Sequence, residues 1–136
     1  MSIEPPTLED RLDTTKKPFR SRGEAQLGSL LKQYGIPFIY EQATLIYDRK
    51  SYRIWHPDFT LPNHRDLIVE YAGMMDVPDY RDGILHKQQV YAANGIPAVF
   101  VYPQDLYGRN WHERILDQIE RAYRQALRRD FYRQIR

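Results

Sequence analysis

Two short runs, Leu67-Ile68-Val69-Glu70-Tyr71 and Ala98-Val99-Phe100-Val101-Tyr102, constrain this chain more than any other feature. Each is apolar on both faces of an extended backbone, so each reads as a strand covered from both sides. The segment between them carries apolar residues at helical spacing. Parallel neighbours need a crossover of a dozen or more residues, commonly a helix, so these two strands are expected to lie parallel in one sheet.

The other elements follow from local signals. Ser21 and Glu24 have the N-cap and N3 spacing of a capping box, ahead of the stripe Leu27, Leu30, Leu31 and Tyr34. Gly35 stops that helix, because glycine takes the left-handed C′ conformation cheaply. Residues 38–47, interrupted at Gln42-Ala43, and 52–61 read as two strands, and Pro62-Asn63-His64 as the turn into 67–71. Their short connections make the first three strands an antiparallel meander. Asp76 caps a helix reaching about residue 94, with Gly95 as its stop. Asn110 and Glu113 repeat the capping spacing before a last helix with the stripe Trp111, Ile115, Ile119, Ala122 and Ala126. The expected fold is α/β, a mixed four-stranded sheet flanked by helices with an extra C-terminal helix. Residues 1–20, with Pro5, Pro6 and Pro18 and few apolar side chains, read as an N-terminal arm. Residues 21–136 read as a single domain, since 136 residues at 42 % hydrophobic supply one core.

Composition narrows the chemistry. There is no cysteine, which excludes disulfide scaffolds, thiolate metal sites and cysteine nucleophiles. No apolar run approaches the roughly 20 residues of a membrane span, and the first residues lack the basic-then-apolar pattern of a signal peptide. A cytoplasmic protein with no membrane partner is expected. No pair among the four histidines has the i, i+4 spacing of a helical zinc site.

The net charge of +2 hides an asymmetry. Residues 1–108 hold 12 Lys/Arg against 14 Asp/Glu, and residues 109–136 hold 8 Arg against 4 Asp/Glu. Arg121, Arg124, Arg128, Arg129, Arg133 and Arg136 therefore form a candidate nucleic-acid surface, since the guanidinium fork makes paired hydrogen bonds to phosphate. Asp117–Arg121 and Glu120–Arg124 have i, i+4 spacing and neutralise part of that charge. Phe131 and Tyr132 could stack on exposed bases. A solvated helix laced with ion pairs accounts for the same composition equally well.

Four polar residues stand in apolar surroundings. Glu70 places a carboxylate in a covered strand, which is costly unless it is paired or bound to metal. Asp58 follows Pro57 on the preceding strand. By alternation it shares a face with Ile54 and His56, while Trp55, Phe59 and Leu61 share the other. On an antiparallel neighbour Asp58 can sit beside Glu70, and two such carboxylates repel unless a cation lies between them. Hard oxygen ligands suit Mg²⁺ or Mn²⁺. Lys87 lies in the middle of the helical stripe Tyr80, Ile84, Lys87 and Tyr91, where it either snorkels to water or reaches the carboxylates. Glu24 is explained by the capping box, yet it also lines up with Leu31 and so faces the core.

The order of helix with Glu24, strand with Pro57-Asp58-Phe59, strand with Ile68-Val69-Glu70-Tyr71, helix with Lys87, then strand resembles the PD-(D/E)XK nuclease superfamily over residues 21 to about 103. That family has a restriction-endonuclease-like αβββαβ core. Its proline-aspartate pair matches Pro57-Asp58 and its acidic residue matches Glu70. Its strand lysine falls at Ala72, and Lys87 is similar to the arrangement in branches that carry the lysine on the following helix. The stretch from Val69 to Asp76, with Tyr80, Lys87 and Tyr91, looks like a small branch distantly akin to very-short-patch repair endonucleases.

The resemblance implies a metal-dependent DNA endonuclease. Asp58, Glu70 and the backbone carbonyl of Tyr71 would hold Mg²⁺, with Mn²⁺ as substitute. Glu24 would act through a metal-bound water or a second ion, and Lys87 would orient the attacking water or stabilise the developing charge. One site per domain means that a double-strand cut takes a homodimer or two successive nicks. Two other classes stay open. One is a nuclease-like module that grips DNA without cutting it. The other is a structural protein whose inward charges pair with Arg53 or Arg65.

Overall fold

The structure is a computed structural model that describes residues 18–135. The basic pair Lys16-Lys17, most of the predicted arm and Arg136 lie outside the described residues.

Helix α1 spans Arg22–Gln33. The Ser21 side chain accepts from the Glu24 N–H at 3.1 Å, which satisfies one of the first-turn donors that an α-helix leaves unpaired. Gly35 follows with φ +65, the left-handed stop that the sequence predicts. Tyr34 departs from the predicted stripe. It stands exposed with its hydroxyl 3.3 Å from His112 Nδ1.

The strands are β1 (Ile39–Tyr40), β2 (Thr44–Asp48), β3 (Ser51–Trp55), β4 (Phe59–Leu61), β5 (Leu67–Tyr71) and β6 (Ala98–Val101). A four-stranded sheet runs β1-β4-β5-β6. β1 with β4 and β4 with β5 are antiparallel, and β5 with β6 is parallel. The predicted mixed four-stranded α/β sheet is therefore present, with β5 inside it.

The two long strands are not. Each is cut in the middle, and β2 with β3 forms a separate two-stranded sheet. The cut in the first falls at Glu41, beside the interruption expected at Gln42-Ala43, and Glu41 has φ 53, a left-handed conformation incompatible with a continuing strand. The cut in the second falls at His56-Pro57, where proline has no N–H for a ladder. Side-chain alternation does not carry across such a break. Trp55, expected beside Phe59 and Leu61, packs against Ile46 and Tyr91 in a separate cluster. Ile54 and His56, expected on the face of Asp58, are exposed.

Helix α2 spans Pro78–Ala93 and α3 spans Trp111–Gln134. The N-cap of α2 is Val77 and not the predicted Asp76, because Pro78 occupies the first helical position, where a missing N–H costs nothing. The predicted Asn110/Glu113 box does not form. Asn110 sits at φ 61 with no capping hydrogen bond from its side chain. The inward side of α3 is otherwise as expected, with Ile115, Ile119 and Ala126 buried.

The main core lies between one sheet face and helices α1 and α3. It contains Leu27, Leu31, Phe59, Val69, Val101 and Ile115. Phe19, which the sequence assigns to the arm, packs against it with its ring 4.9 Å from that of Tyr40. The other face carries Ile46, Ile68, Val90 and Tyr91. Because side chains alternate along β5, Glu70 shares this second face with Ile68 and meets α2. No helix among the described residues is long and apolar enough to cross a membrane.

Candidate active site

The polar residues singled out in the sequence converge at the end of β5. Glu24, Asp58, Glu70, Tyr71 and Lys87 all line one cleft of about 480 Å³. Each arrives by a different local rule. Glu24 is the third residue of α1. Asp58 precedes β4, where the pairing continues far enough for Glu41 N–H to donate to the Asp58 carbonyl at 3.1 Å. Phe59 pairs with Val69, so the next step of the antiparallel ladder sets Asp58 beside Glu70.

Glu70 is 2 % exposed, and both of its oxygens are engaged. Tyr91 Oη donates to Oε1 at 2.8 Å and Lys87 Nζ donates to Oε2 at 3.3 Å. Of the two courses open to a lysine on this stripe, the side chain takes the one to a carboxylate, that of Glu70, while it remains 41 % exposed and open to the cleft. Ala72, where the family pattern would put the lysine, is fully buried. A lysine there would have to displace core packing, and the cation beside Glu70 is Lys87 of α2. The inward charges do not pair with Arg53 or Arg65. Arg65 pairs with Asp130, and no ion pair of Arg53 occurs among the described residues.

Asp58 accepts from the Tyr71 backbone N–H at 2.7 Å. Burial, and then the neighbouring charge of Glu70, push its carboxyl up to about 7, against the opposing pull of the Tyr71 N–H and Lys87. Negative charge is therefore in excess at this spot. Burial beside Glu70 likewise raises the Tyr91 hydroxyl well above its ordinary value, so Tyr91 stays a donor.

Glu24 is 7 % exposed. Tyr40 Oη donates to its Oε1 at 2.7 Å and Ser21 Oγ donates to its Oε2 at 2.8 Å. Ser21 caps the helix and Glu24 points inward, but the Glu24 carboxylate holds the Ser21 hydroxyl and not its N–H, so the reciprocal half of the expected box does not form. Among the described residues no three His, Asp or Glu side chains converge as a metal cage, so a cation here would rest on Asp58 and Glu70. The Tyr71 carbonyl, the third implied ligand, accepts from Tyr80 Oη at 3.3 Å.

Three hydroxyls, from Tyr40, Tyr80 and Tyr91, were not singled out in the sequence as part of the site. The available signal was Tyr80 and Tyr91 flanking Lys87 on an inward stripe, since a buried tyrosine brings a hydroxyl that needs a partner. Arg22, on the first turn of α1, also lines the cleft and is exposed.

The α3 arginines are spread unevenly. Arg121 pairs with Asp117 at 2.7 Å and Arg124 with Glu120 at 3.1 Å. Arg129 donates to the Gly95 carbonyl at 2.8 Å, which ties it to the body of the protein. Arg128 and Arg133 are exposed. None of these five lines the cleft, and Arg136 lies outside the described residues.

Gly23 permits the geometry around Tyr71. A Cβ at Gly23 would lie 2.1 Å from Tyr71 Cζ, well inside any real contact. Within a helix, Gly→Ala ordinarily stabilises by about 1 kcal/mol. Here the Tyr71 ring would have to move, so Gly23→Ala is expected to destabilise by roughly 1–3 kcal/mol. Thermal melts of the two proteins check this, and a higher melting temperature in the variant would refute the contact.

Comparison with protein-family models, characterised proteins and solved structures finds no match to the chain.

Proposed function

We propose that this chain is a Mg²⁺-dependent DNA endonuclease with a PD-(D/E)XK-type site on a restriction-endonuclease-like fold. The observation that carries the proposal is the pairing of Asp58 with Glu70. The buried carboxylate of Glu70 on β5 and the half-buried carboxylate of Asp58, just ahead of β4, stand side by side, Asp58 is driven up to about 7 by burial and by the other's charge, and a half-exposed lysine reaches Glu70 from an open cleft. Such a donor set suits Mg²⁺, which takes one or two carboxylates and keeps several waters. Asp58, Glu70 and the Tyr71 carbonyl would hold it, each oxygen using a lone pair that its present hydrogen bond leaves free. Mn²⁺ is expected to substitute. Bound there, the cation would polarise the scissile phosphate and offset charge that builds on it.

The side chains divide the remaining work. Lys87 presents its ammonium to the non-bridging phosphate oxygens, where negative charge grows as water attacks phosphorus. Arg22, at the edge of the cleft, meets the same or the adjoining phosphate through its fork. Tyr91 fixes the Glu70 carboxylate, and Tyr40 with Ser21 fixes Glu24, so that these groups need little reorganisation during reaction. In the step itself an oxygen of water bonds to phosphorus and the bond to the leaving oxygen breaks. The proton ends on that leaving oxygen, and a 5′-phosphate is the expected product. The exposed Arg128 and Arg133, with the more tethered arginines of α3, would add phosphate contacts away from the cleft.

A second reading, a nuclease-like module that binds DNA without cutting, is favoured by the engagement of both Glu70 oxygens with Lys87 and Tyr91. Nicking of supercoiled plasmid separates the two. The nuclease reading expects conversion to open circles in Mg²⁺ or Mn²⁺ and none in EDTA. DNA binding with no cleavage in either metal would overturn it.

A further inference from the structure

The β2–β3 hairpin has two unlike faces. Its inner face is clamped to the body. Ile46 is fully buried against Ile68, Val90 and Tyr91, and Asp48 lies 2.9 Å from His86 Nε2 on α2. Asn94 binds both the N–H and the carbonyl of Tyr47, each at 2.9 Å. The hairpin is thus a fixed wing and not a loose loop.

Its outer face has no partner among the described residues. Leu45 pairs across the strands with Ile54, and Tyr47 with Tyr52. All four side chains are exposed, Tyr52 by 71 %. The two rings sit 5.1 Å apart. At the tip, Arg49 and Lys50 both have positive φ, the two-residue turn that suits a tight hairpin, and both are exposed. The one carboxylate on the hairpin, Asp48, is occupied by His86. An aromatic platform bordered by unopposed cations is complementary to a polyanion with flat apolar rings.

The wing also leads into the cleft. β3 continues through His56 and Pro57 to Asp58, and Trp55, His56 and Pro57 border a small pocket shared with Glu70 and Lys87. Tyr52 is six residues from Asp58, at most about 20 Å of extended chain. That is about six nucleotides at the 3.4 Å spacing of one duplex strand. In a duplex the faces of the bases are hidden in the stack, and only unpaired bases offer a face to a tyrosine.

We infer that the outer face of this hairpin is a platform for unpaired nucleotides, with Tyr47 and Tyr52 stacking on bases and Arg49 and Lys50 meeting phosphates. The inference rests on the nuclease reading and names its substrate class: DNA with a single-stranded segment within several nucleotides of the cut.

The test is binding of a single-stranded oligonucleotide by the full chain, followed by fluorescence anisotropy in EDTA so that cleavage does not intervene. Tyr52→Ala is expected to weaken binding by about fivefold or more, the effect of losing one stacked base, and Tyr52→Phe to bind as the wild type does. Arg49→Asn with Lys50→Gly removes both tip charges and places residues suited to positive φ, so the turn itself is not at risk. That variant is expected to lower the log–log salt slope by about 1.4, at 0.7 per phosphate on a single strand. Unchanged binding in both Tyr52→Ala and the tip variant overturns the inference. So does a Tyr52→Ala variant that converts a dimer to a monomer in sedimentation, which would assign the face to a second copy. Metal-dependent nicking with wild-type binding in every hairpin variant removes the wing and leaves the nuclease reading intact. Hairpin-dependent binding without nicking does the reverse.

Discussion

Asp58→Asn should yield a folded protein that cuts nothing in Mg²⁺ and, without metal, is more stable than the wild type at pH 8. The sign follows from the carboxyl's position at about 7, raised by burial and by Glu70. Between the unfolded value near 4 and that folded value, the native state holds the proton more tightly than the unfolded chain does. Stability therefore falls as pH rises through this window, and above about pH 7 the whole cost of the charged form is present. Asparagine removes that charge and can still accept from the Tyr71 N–H. The gain of the variant over the wild type should be larger at pH 8 than at pH 5 by roughly 2–3 kcal/mol, a shift on the order of 5–10 °C in melting temperature. Melts in EDTA at the two pH values, paired with plasmid nicking in Mg²⁺, check both halves. A variant that melts below the wild type at pH 8, or one that still nicks DNA, contradicts the assignment.

Lys87→Ala should lower the rate of cleavage by about 10²–10³-fold, the range seen when one donor to a developing oxyanion is removed. Since the side chain is 41 % exposed, loss of its bond to Glu70 should cost stability only modestly, about 1 kcal/mol or less. A distinct signature should appear in the pH profile. Lys87 is one of the groups that hold Asp58 down, so its removal leaves Asp58 protonated to higher pH. The acidic limb of the residual activity should then move upward in pH. Single-turnover rates between pH 6 and 9 measure both the drop and the displacement. Full activity in Lys87→Ala, or an unshifted limb, would leave the lysine as a snorkelling side chain with no part in the reaction.

A large part of the arrangement around these two residues was legible from spacing. A carboxylate inside a covered strand, a second one placed by antiparallel register and a lysine on an inward helical stripe required only periods of two and 3.6 to predict their meeting. Spacing did less well wherever two local preferences competed. Asp76 is a good N-cap by type, yet Pro78 fixed the start of α2 one residue later. Asn110 offered a capping side chain, but its left-handed backbone leaves it without a capping bond. Residues 38–61 read as two strands by their β-rich content, the first interrupted at Gln42-Ala43, where the structure does break it. What divides them is Glu41 at positive φ and the proline after His56, and the divided halves serve different sheets.

The sequence by itself determined the covered strands, the parallel pairing through α2, the first helix with its cap and stop, and the inward direction of Glu70 and Lys87. All of these depend on residues within one element or on the period of an adjacent one. The tertiary structure alone decided which hydroxyls hold the glutamates. Tyr40 comes to Glu24 across 16 residues, and Tyr91 to Glu70 across 21. It also decided that Asp58 is driven up to about 7, and that the hairpin turns its aromatic side outward. A tyrosine is an apolar body and a polar tip in one residue, so its period reports the face it lies on and not the partner its hydroxyl finds. That partner, and the burial that moves a carboxyl, depend on how distant elements pack, which no local pattern contains.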